Sequence, residues 1–335
     1  MRILVTGGTG YIGSHTCVEL LEKGYEVVII DNLYNSSKSV VKKIKEITSK
    51  EFNFYEIDLL DKEALNHVFE KEQVNAVIHF AGYKAVGESV EKPLEYYQNN
   101  LVGTINLCEI MRKHNVFNLV FSSSATVYGD PHTVPISEDF PLTTKSPYGS
   151  TKLMIETILS DIAYADKHWS IVALRYFNPI GAHKSGLIGD IPTGIPNNLT
   201  PYIAQVATGK LEYLRVWGND YETIDGTGVR DYIHVVDLAL GHISAIEFAN
   251  ENNGIEFINL GTGKGYSVLE VLHAFEKACG KELEYRIMER REGDIALSYA
   301  DTKKAQALLH WKAERDIDEM CQDLWNFSSK NPNGI

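Results

Sequence analysis

Ile3-Leu4-Val5-Thr6-Gly7-Gly8-Thr9-Gly10-Tyr11-Ile12-Gly13 is the stretch from which the fold is read. Its apolar triplet predicts a buried strand, and from Ile12 to Lys23 apolar residues recur at helical spacing. Gly7, Gly10 and Gly13 stand three apart at the junction. Residues without a Cβ permit the tight turn and let the backbone approach a pyrophosphate. The helix amino terminus behind them offers unpaired N–H groups and partial positive charge to phosphate. The spacing differs from the GxGxxG of many dehydrogenases, and a glycine pattern alone also fits an ordinary turn. The flanking sequence decides between the two.

Working outward, short runs rich in Val, Ile and Phe recur at Val27 to Ile30, Phe54 to Ile57, Val74 to Phe80, Leu119 to Phe121 and Ile171 to Leu174. Such nearly continuous apolar runs suit strands buried on both faces of a parallel sheet. Helical patterns lie between them, at Val40 to Thr48, Lys62 to Lys71, Leu94 to His114 and Tyr148 to Lys167. The alternation predicts an α/β fold, a Rossmann-type doubly wound parallel sheet over residues 1–177. After Phe177 the prolines Pro179, Pro192, Pro196 and Pro201 read as long loops. Helices then return at Asp237 to Asn250, Ser267 to Cys279 and Ile317 to Phe327, with Ser267 and Glu270 as a capping box and Gly280 as a stop. Residues 178–335 are therefore expected to form a smaller mixed α/β substrate domain, with later segments crossing back to the first and Ser328 to Ile335 fraying.

The βαβ frame gives the glycines their context. Asp31 ends the second strand 18 residues after Gly13, near the roughly 20 expected of the acid that takes the adenosine ribose hydroxyls. A carboxylate there repels a 2′-phosphate, so NAD is expected over NADP. Asp58 closes the third strand, where it either reaches the adenine or caps the next helix, and Phe80-Ala81-Gly82 closes the fourth.

Tyr148 and Lys152 are four apart at the start of a helix, on one face and one turn from each other. Bringing a phenol of pKa about 10 to about 7 takes roughly 4 kcal/mol. An ammonium about 5 Å away, at an effective dielectric near 20, supplies about 3 kcal/mol of this. The positive ring of an oxidised nicotinamide is expected to add the rest. Ser122-Ser123-Ser124 ends the fifth strand at the carboxyl edge where ligands bind such sheets, and Ser124 is the best placed to hold the reacting oxygen. A Tyr–Lys pair by itself is usually surface dressing; the strand-end serines and Pro147 narrow the reading.

Gly7, Gly10 and Gly13, Ser124, and Tyr148 with Lys152 together resemble the extended short-chain dehydrogenase/reductase family, specifically its branch acting on nucleotide sugars. The likeness extends through Lys84 to Ser89, Ser122 to Gly129, Leu174 to Asn178, Gly194 to Leu199, Gly218 to Val235 and Arg290 to Asp294. It implies inversion at C4 of UDP-glucose and UDP-galactose through a 4-keto sugar, with Tyr148 as proton acceptor, Lys152 on the nicotinamide ribose, and a tightly held NAD. The resemblance puts NAD on Gly7, Gly10, Tyr11, Ile12, Gly13, Asp31, Asn32, Leu33, Asn35, Ser36, Asp58, Leu59, Phe80, Ala81, Gly82, Lys84, Asn99, Ser122, Tyr148, Lys152, Tyr176 and Phe177. The UDP-sugar falls to Lys84, Ser124, Tyr148, Phe177, Asn178, Asn198, Leu199, Arg215, Val216, Trp217, Arg230, Tyr232, Arg291, Asp294 and Ser298. Guanidinium groups suit this task, since each donates two parallel hydrogen bonds to phosphate oxygens. Ser298 stands where many glucose-type members carry tyrosine, so activity on UDP-GlcNAc and UDP-GalNAc is also expected. The family further suggests a homodimer, and no metal.

Composition removes other classes. The 335 residues carry a net charge of −13, which disfavours nucleic acid and anionic membranes as partners. Cys17, Cys108, Cys279 and Cys321 are dispersed, which argues for a reducing compartment. No run reaches the roughly 18 apolar residues of a membrane span, and the amino terminus leads directly into a strand, so a cytoplasmic protein is expected. Three alternatives stay open. A 4,6-dehydratase needs an acid and a base beside a strand-end threonine, whereas this chain has Ser124-Ala125-Thr126. A UDP-glucuronate epimerase needs a cation for the C6 carboxylate. A silent NAD-sensing regulator would have no use for Tyr148, Lys152 and the arginines together.

Overall fold

The computed structural model describes the chain apart from Thr193, Asn197 and Glu292. Strands β1 (Arg2–Thr6), β2 (Glu26–Asp31), β3 (Asn53–Glu56), β4 (Ala76–His79), β5 (Asn118–Ser124) and β6 (Ser170–Tyr176) coincide with the apolar runs. Seven further strands follow: β7 (Asn178–Ile180), β8 (Leu214–Trp217), β9 (Val229–His234), β10 (Gly254–Leu260), β11 (Gly265–Ser267), β12 (Tyr285–Met288) and β13 (Leu297–Ser298). The helices are α1 (Tyr11–Glu22), α2 (Ser39–Thr48), α3 (Lys62–Glu72), α4 (Val86–Glu91), α5 (Pro93–Tyr97), α6 (Gly103–Lys113), α7 (Pro147–Ala165), α8 (Leu199–Ala207), α9 (Val235–Glu251), α10 (Val268–Cys279), α11 (Lys303–Leu309) and α12 (Ile317–Lys330).

The main sheet runs β10-β6-β5-β4-β1-β2-β3 with every neighbouring pair parallel. Winding reverses between β1 and β4, which opens the crevice at their carboxyl ends where such sheets bind ligands. Both faces are apolar. Ile3, Val5, Ile29 and Val172 pack with Leu20, Leu21 and Leu238 on one side, and Leu4, Val28, Val77 and Phe121 with Val68, Leu107 and Leu159 on the other. That two-sided burial is why the strand sequences do not alternate with polar residues. In the smaller lobe β9 pairs with β11, β13 and β7, over a core of Ile203, Leu272, Phe275, Met320 and Leu324. The capping box of Ser267 and Glu270 forms, and Gly280 takes a left-handed φ of 68°.

Strand β10 closes the main sheet, so the late half of the chain crosses back to supply an edge strand as well as α9, which packs on α1. Two features depart from expectation. The single helix expected over Leu94 to His114 is broken by a π turn, Gln98–Val102, a distortion that propensity does not reveal. The carboxy-terminal residues are docked rather than frayed. Helix α12 continues to Lys330, the Asn331 amide donates to the Gly186 carbonyl at 2.8 Å, and Ile335 lies against the core. Phe327 seats only because residue 189 is glycine, since a Cβ there would stand 2.4 Å from the ring.

Candidate active site

Helix α7 starts firmly. Ser146 Oγ accepts from Gly149 N at 3.2 Å and Pro147 occupies the first turn, an arrangement that satisfies an otherwise orphan N–H. Tyr148 and Lys152 are thereby presented to the end of β5. The Lys152 ammonium donates to the Ser122 carbonyl at 2.6 Å and lies 4.9 Å from the Phe121 ring centroid and 5.8 Å from that of Tyr148. Burial lowers its pKa from 10.5 to about 8, with Glu156 opposing the shift. Tyr148 is raised above 10 by burial, against a hydrogen bond with Ser124.

This corrects the electrostatic expectation. The ammonium was expected to supply most of what the phenol needs, but it is committed to a carbonyl and desolvation wins. The chain alone does not make Tyr148 acidic. A positive charge beyond the chain has to bear more than a remainder.

Ser124 Oγ accepts from Thr126 N at 3.2 Å and Thr126 Oγ1 at 3.0 Å, which fixes its own proton to point elsewhere. Ser122 Oγ is held by the Tyr176 phenol. Asn100 is a residue that the sequence reading missed. Buried in the π turn, its Oδ1 accepts from Tyr83 N at 2.8 Å and Asn99 Nδ2 at 2.9 Å, and its Nδ2 donates to Tyr83 O and Thr151 Oγ1, each at 3.1 Å. It thus ties the 82–84 loop to α7. An Asn–Asn pair inside an apolar helical pattern was the available signal.

The glycine cradle fits a dinucleotide. A Cβ on Gly7 would stand 2.7 Å from Ala81 N, and one on Gly13 would stand 2.2 Å from Gly7 O. Gly10 is the N-cap of α1, where no side chain supplies a cap, so the first N–H groups remain free for an anion. Asp31 accepts from Thr9 N (3.1 Å), Leu33 N (2.9 Å) and Ser36 Oγ (3.2 Å). Among the described residues it forms no ion pair with Lys or Arg, so nothing there would offset a 2′-phosphate. The open question over Asp58 is resolved against capping: Asp61 caps α3, and Asp58 Oδ2 accepts from Asn32 Nδ2 at 2.8 Å. Leu59, Phe80, Ala81, Gly82 and Phe177 lie at or just beyond strand ends. Tyr11 donates to Gly181 O at 2.7 Å, and Lys84 lies 3.7 Å from Asp190.

Across the crevice, β9 carries Arg230 and Tyr232, with Asn178 opposite Tyr232 and Ser298 opposite Arg230 in parallel register. Arg230 Nη1 donates to Ile295 O at 2.8 Å and Nη2 lies 3.8 Å from Asp294, which also takes Arg291 Nε at 2.9 Å. Burial pushes the Tyr232 phenol up to about 12, with Arg230 opposing. Asn198 caps α8 without using its side chain. Not every expected contact is brought here as a side chain. On β8, Arg215 is exposed while Val216 is buried in the lobe core, so period-two alternation leaves Arg215 and Trp217 on the outer face and offers Val216 to a ligand through its backbone alone.

A glycine cradle, a strand-end serine and a one-turn Tyr–Lys pair at the switch point of a parallel sheet define an NAD-dependent extended short-chain dehydrogenase/reductase. A family model described as GDP-mannose 4,6 dehydratase matches residues 4–324. The chain is 62% identical to UDP-glucose 4-epimerase of Bacillus subtilis (strain 168), over 100% of this chain and 98% of that one. The crystal structure of UDP-glucose 4-epimerase from Bifidobacterium longum with NAD+ and UDP is 54% identical with a TM-score of 0.96, covering 100% of both chains. That from Stenotrophomonas maltophila, with NAD and formylated UDP-arabinopyranose, is 48% identical with a TM-score of 0.98, covering 99% of both. The chain belongs to the matched family and, within it, to the UDP-glucose 4-epimerases.

Proposed function

We propose that the chain interconverts UDP-glucose and UDP-galactose by inversion at C4, as an isomerase with a resident NAD. The observation that carries this is the meeting of Tyr148, Ser124 and Lys152 at one strand end, between the glycine cradle and the Arg230–Arg291 cluster. Gly7, Gly10, Gly13, Asp31, Asp58 and Lys152 would hold NAD, which when bound supplies a reusable hydride acceptor for C4. Tyr148 takes the O4 proton and returns it, Ser124 holds O4, and the Lys152 ammonium stabilises the phenolate. Arg230 and Arg291 grip the diphosphate while the hexose turns, so either face of C4 is presented. In this reading residues 1–177, completed by later segments, serve the cofactor, and residues 178–335 serve the UDP-sugar. Dehydration is disfavoured because Ala125 and Thr126 are followed by the buried Val127 and Tyr128, with no acid–base pair at the strand end. The Lys84 charge is matched by Asp190, which makes it a poor anchor for a uronate. Incubating the purified protein with UDP-glucose and following UDP-galactose by NMR tests the assignment; bound nucleotide without turnover would favour a sensor.

Ser298 bears on the substrate range. Its neighbour Tyr299 lies just past the end of β13 and packs its ring against Gly265, 3.2 Å from where a Cβ there would stand. Tyr299 is thus engaged elsewhere, and in this reading the small Ser298 side chain leaves room for an acetamido group at C2. Ser298→Tyr is expected to lower kcat/KM for UDP-GlcNAc at least tenfold while sparing UDP-glucose, a difference of about 1.4 kcal/mol. Equal N-acetyl rates in the two proteins would remove Ser298 as gatekeeper.

The chain is further proposed to form a homodimer. Helices α4 and α5 pack on α7, and this group leaves Val90, Leu94 and Met154 exposed at 63%, 79% and 44%. Large apolar side chains grouped this way mark contact surfaces, and sedimentation is expected to give twice the 37.6 kDa chain mass. All four cysteines are free, three of them buried, which supports a reducing cytoplasm; no helix among the described residues is long and apolar enough to cross a membrane.

A further inference from the structure

Behind the site lies a buried ion pair that the mechanism has not used. Glu156 stands one turn beyond Lys152 on α7, and Arg175 lies beside Ser123 in the parallel register of β5 and β6. The Glu156 carboxylate accepts from Arg175 Nε at 2.9 Å and Nη2 at 2.7 Å, and from Ser123 Oγ. Arg175 Nη1 also donates to the Tyr128 phenol at 3.1 Å and to Glu138 O at 3.3 Å. All of Ser123, Glu156 and Arg175 are buried. Desolvating such a pair offsets most of its attraction, so packed apolar residues would serve stability as well or better. Its position suggests a different use. Ser123 is the link between Ser122, whose carbonyl takes the Lys152 ammonium, and Ser124, which holds the reacting oxygen.

We infer that Glu156, backed by Arg175, is a positioning residue: it pins the 122–124 strand end to α7 and keeps negative charge behind the Lys152 ammonium. The groups facing Lys152 are few. On α7 they are Tyr148 and Glu156. On β5 they are the Phe121 ring and the Ser122 carbonyl. His79 faces it from β4, bonded to Thr6 and Thr104 and held neutral with a pKa of about 3, through burial and then Lys152 itself. From β6 come Arg175 and the Tyr176 phenol on Ser122 Oγ. Among these, Glu156 is the carboxylate opposing desolvation of the ammonium.

The inference rests on the function proposed above only for its kinetic arm. In Glu156→Gln holoenzyme, the alkaline limb of kcat is expected to move down by roughly one pH unit, because a carboxylate one helical turn away is lost. KM for UDP-glucose stays within about twofold, since the UDP anchor is untouched. The double variant Glu156→Gln/Arg175→Gln, lacking the opposing guanidinium charge too, recovers part of the shift. A uniform loss of kcat at every pH would reduce the pair to a structural part and overturn the inference.

The second arm needs no turnover. Buried Lys152 is less basic folded than unfolded, so its charge costs stability near neutrality and the cost fades as pH rises. Removing Glu156 enlarges that cost, so the gap in Tm between wild type and Glu156→Gln narrows from pH 7 to pH 10. Parallel Tm curves would overturn the inference. Absence of epimerisation by the wild type, with a narrowing gap, would sink the function and leave the charge coupling standing.

Discussion

Tyr148→Phe is expected to purify with its NAD and to lose roughly 10³-fold or more in kcat, the upper part of the range for removing a positioned acid–base group. The substitution deletes one oxygen from a half-buried side chain whose phenolic proton is made harder to remove by burial. Nothing in the fold depends on that oxygen: the helix start is held by Ser146 and Pro147, and Thr151 Oγ1 donates to the Tyr148 carbonyl, not to the phenol. Tm should therefore stay about level. Arg230 and Arg291, proposed to hold the diphosphate, are untouched, so KM for the UDP-sugar changes little and the loss falls on kcat. The checks are initial rates on UDP-galactose and nucleotide content of the same preparation. Retained turnover in a protein lacking this phenol would place proton transfer elsewhere. The wild-type pH profile carries the sign of the Lys152 shift. With a pKa lowered to about 8, the ammonium is complete below that pH, and its support of a phenolate fades as pH rises through it.

Much of this site was legible because its residues act locally. The turn from β1 into α1, Asp31 at the end of β2, and Tyr148 with Lys152 on one helical face follow from spacing within a few turns of chain. The same holds for the capping box at Ser267. What could not be read depends on partners distant in sequence. Glu156 acquires its partners only through the register of β5 and β6, which sets Arg175 beside Ser123. Asn100 faces inward only because a π turn rotates that segment. The tail docks through Phe327 and Asn331 on a loop some 140 residues earlier, at Gly186 and Gly189. The acidity of Tyr148 was misjudged for a related reason. Spacing gives the distance between two charges but not the desolvation of either, and here burial raises the phenol against its hydrogen bond with Ser124.

Gly13→Ala is expected to abolish retention of NAD and to lower Tm, against the trend of its residue type. Alanine in place of glycine inside a helix normally stabilises by about 1 kcal/mol, through the entropy of the unfolded chain. Position 13 lies in the first turn of α1, so propensity alone predicts a gain. Sterics reverse the sign. A Cβ there would stand 2.2 Å from Gly7 O, 2.9 Å from Gly8 Cα and 3.0 Å from Gly7 C. All three atoms are backbone, so no rotamer change relieves the contact. Gly7 cannot retreat, because it is fixed at a φ of 69° with its N–H donating to Ile30 O at 2.8 Å. Either α1 moves off the sheet or the 7–10 turn unwinds, and overpacking of this kind costs typically 1–3 kcal/mol. Both outcomes displace the free N–H groups that a pyrophosphate would meet. Gly87→Ala is the internal control: it lies within α4, its φ is not positive, and an added Cβ meets nothing within 4 Å. The same chemical change should there raise Tm and leave nucleotide content alone. Absorbance of the nucleotide released on denaturation, measured beside Tm for both variants, decides the matter. Equal NAD content in Gly13→Ala and wild type would mean that the turn after β1 is not where the cofactor is held.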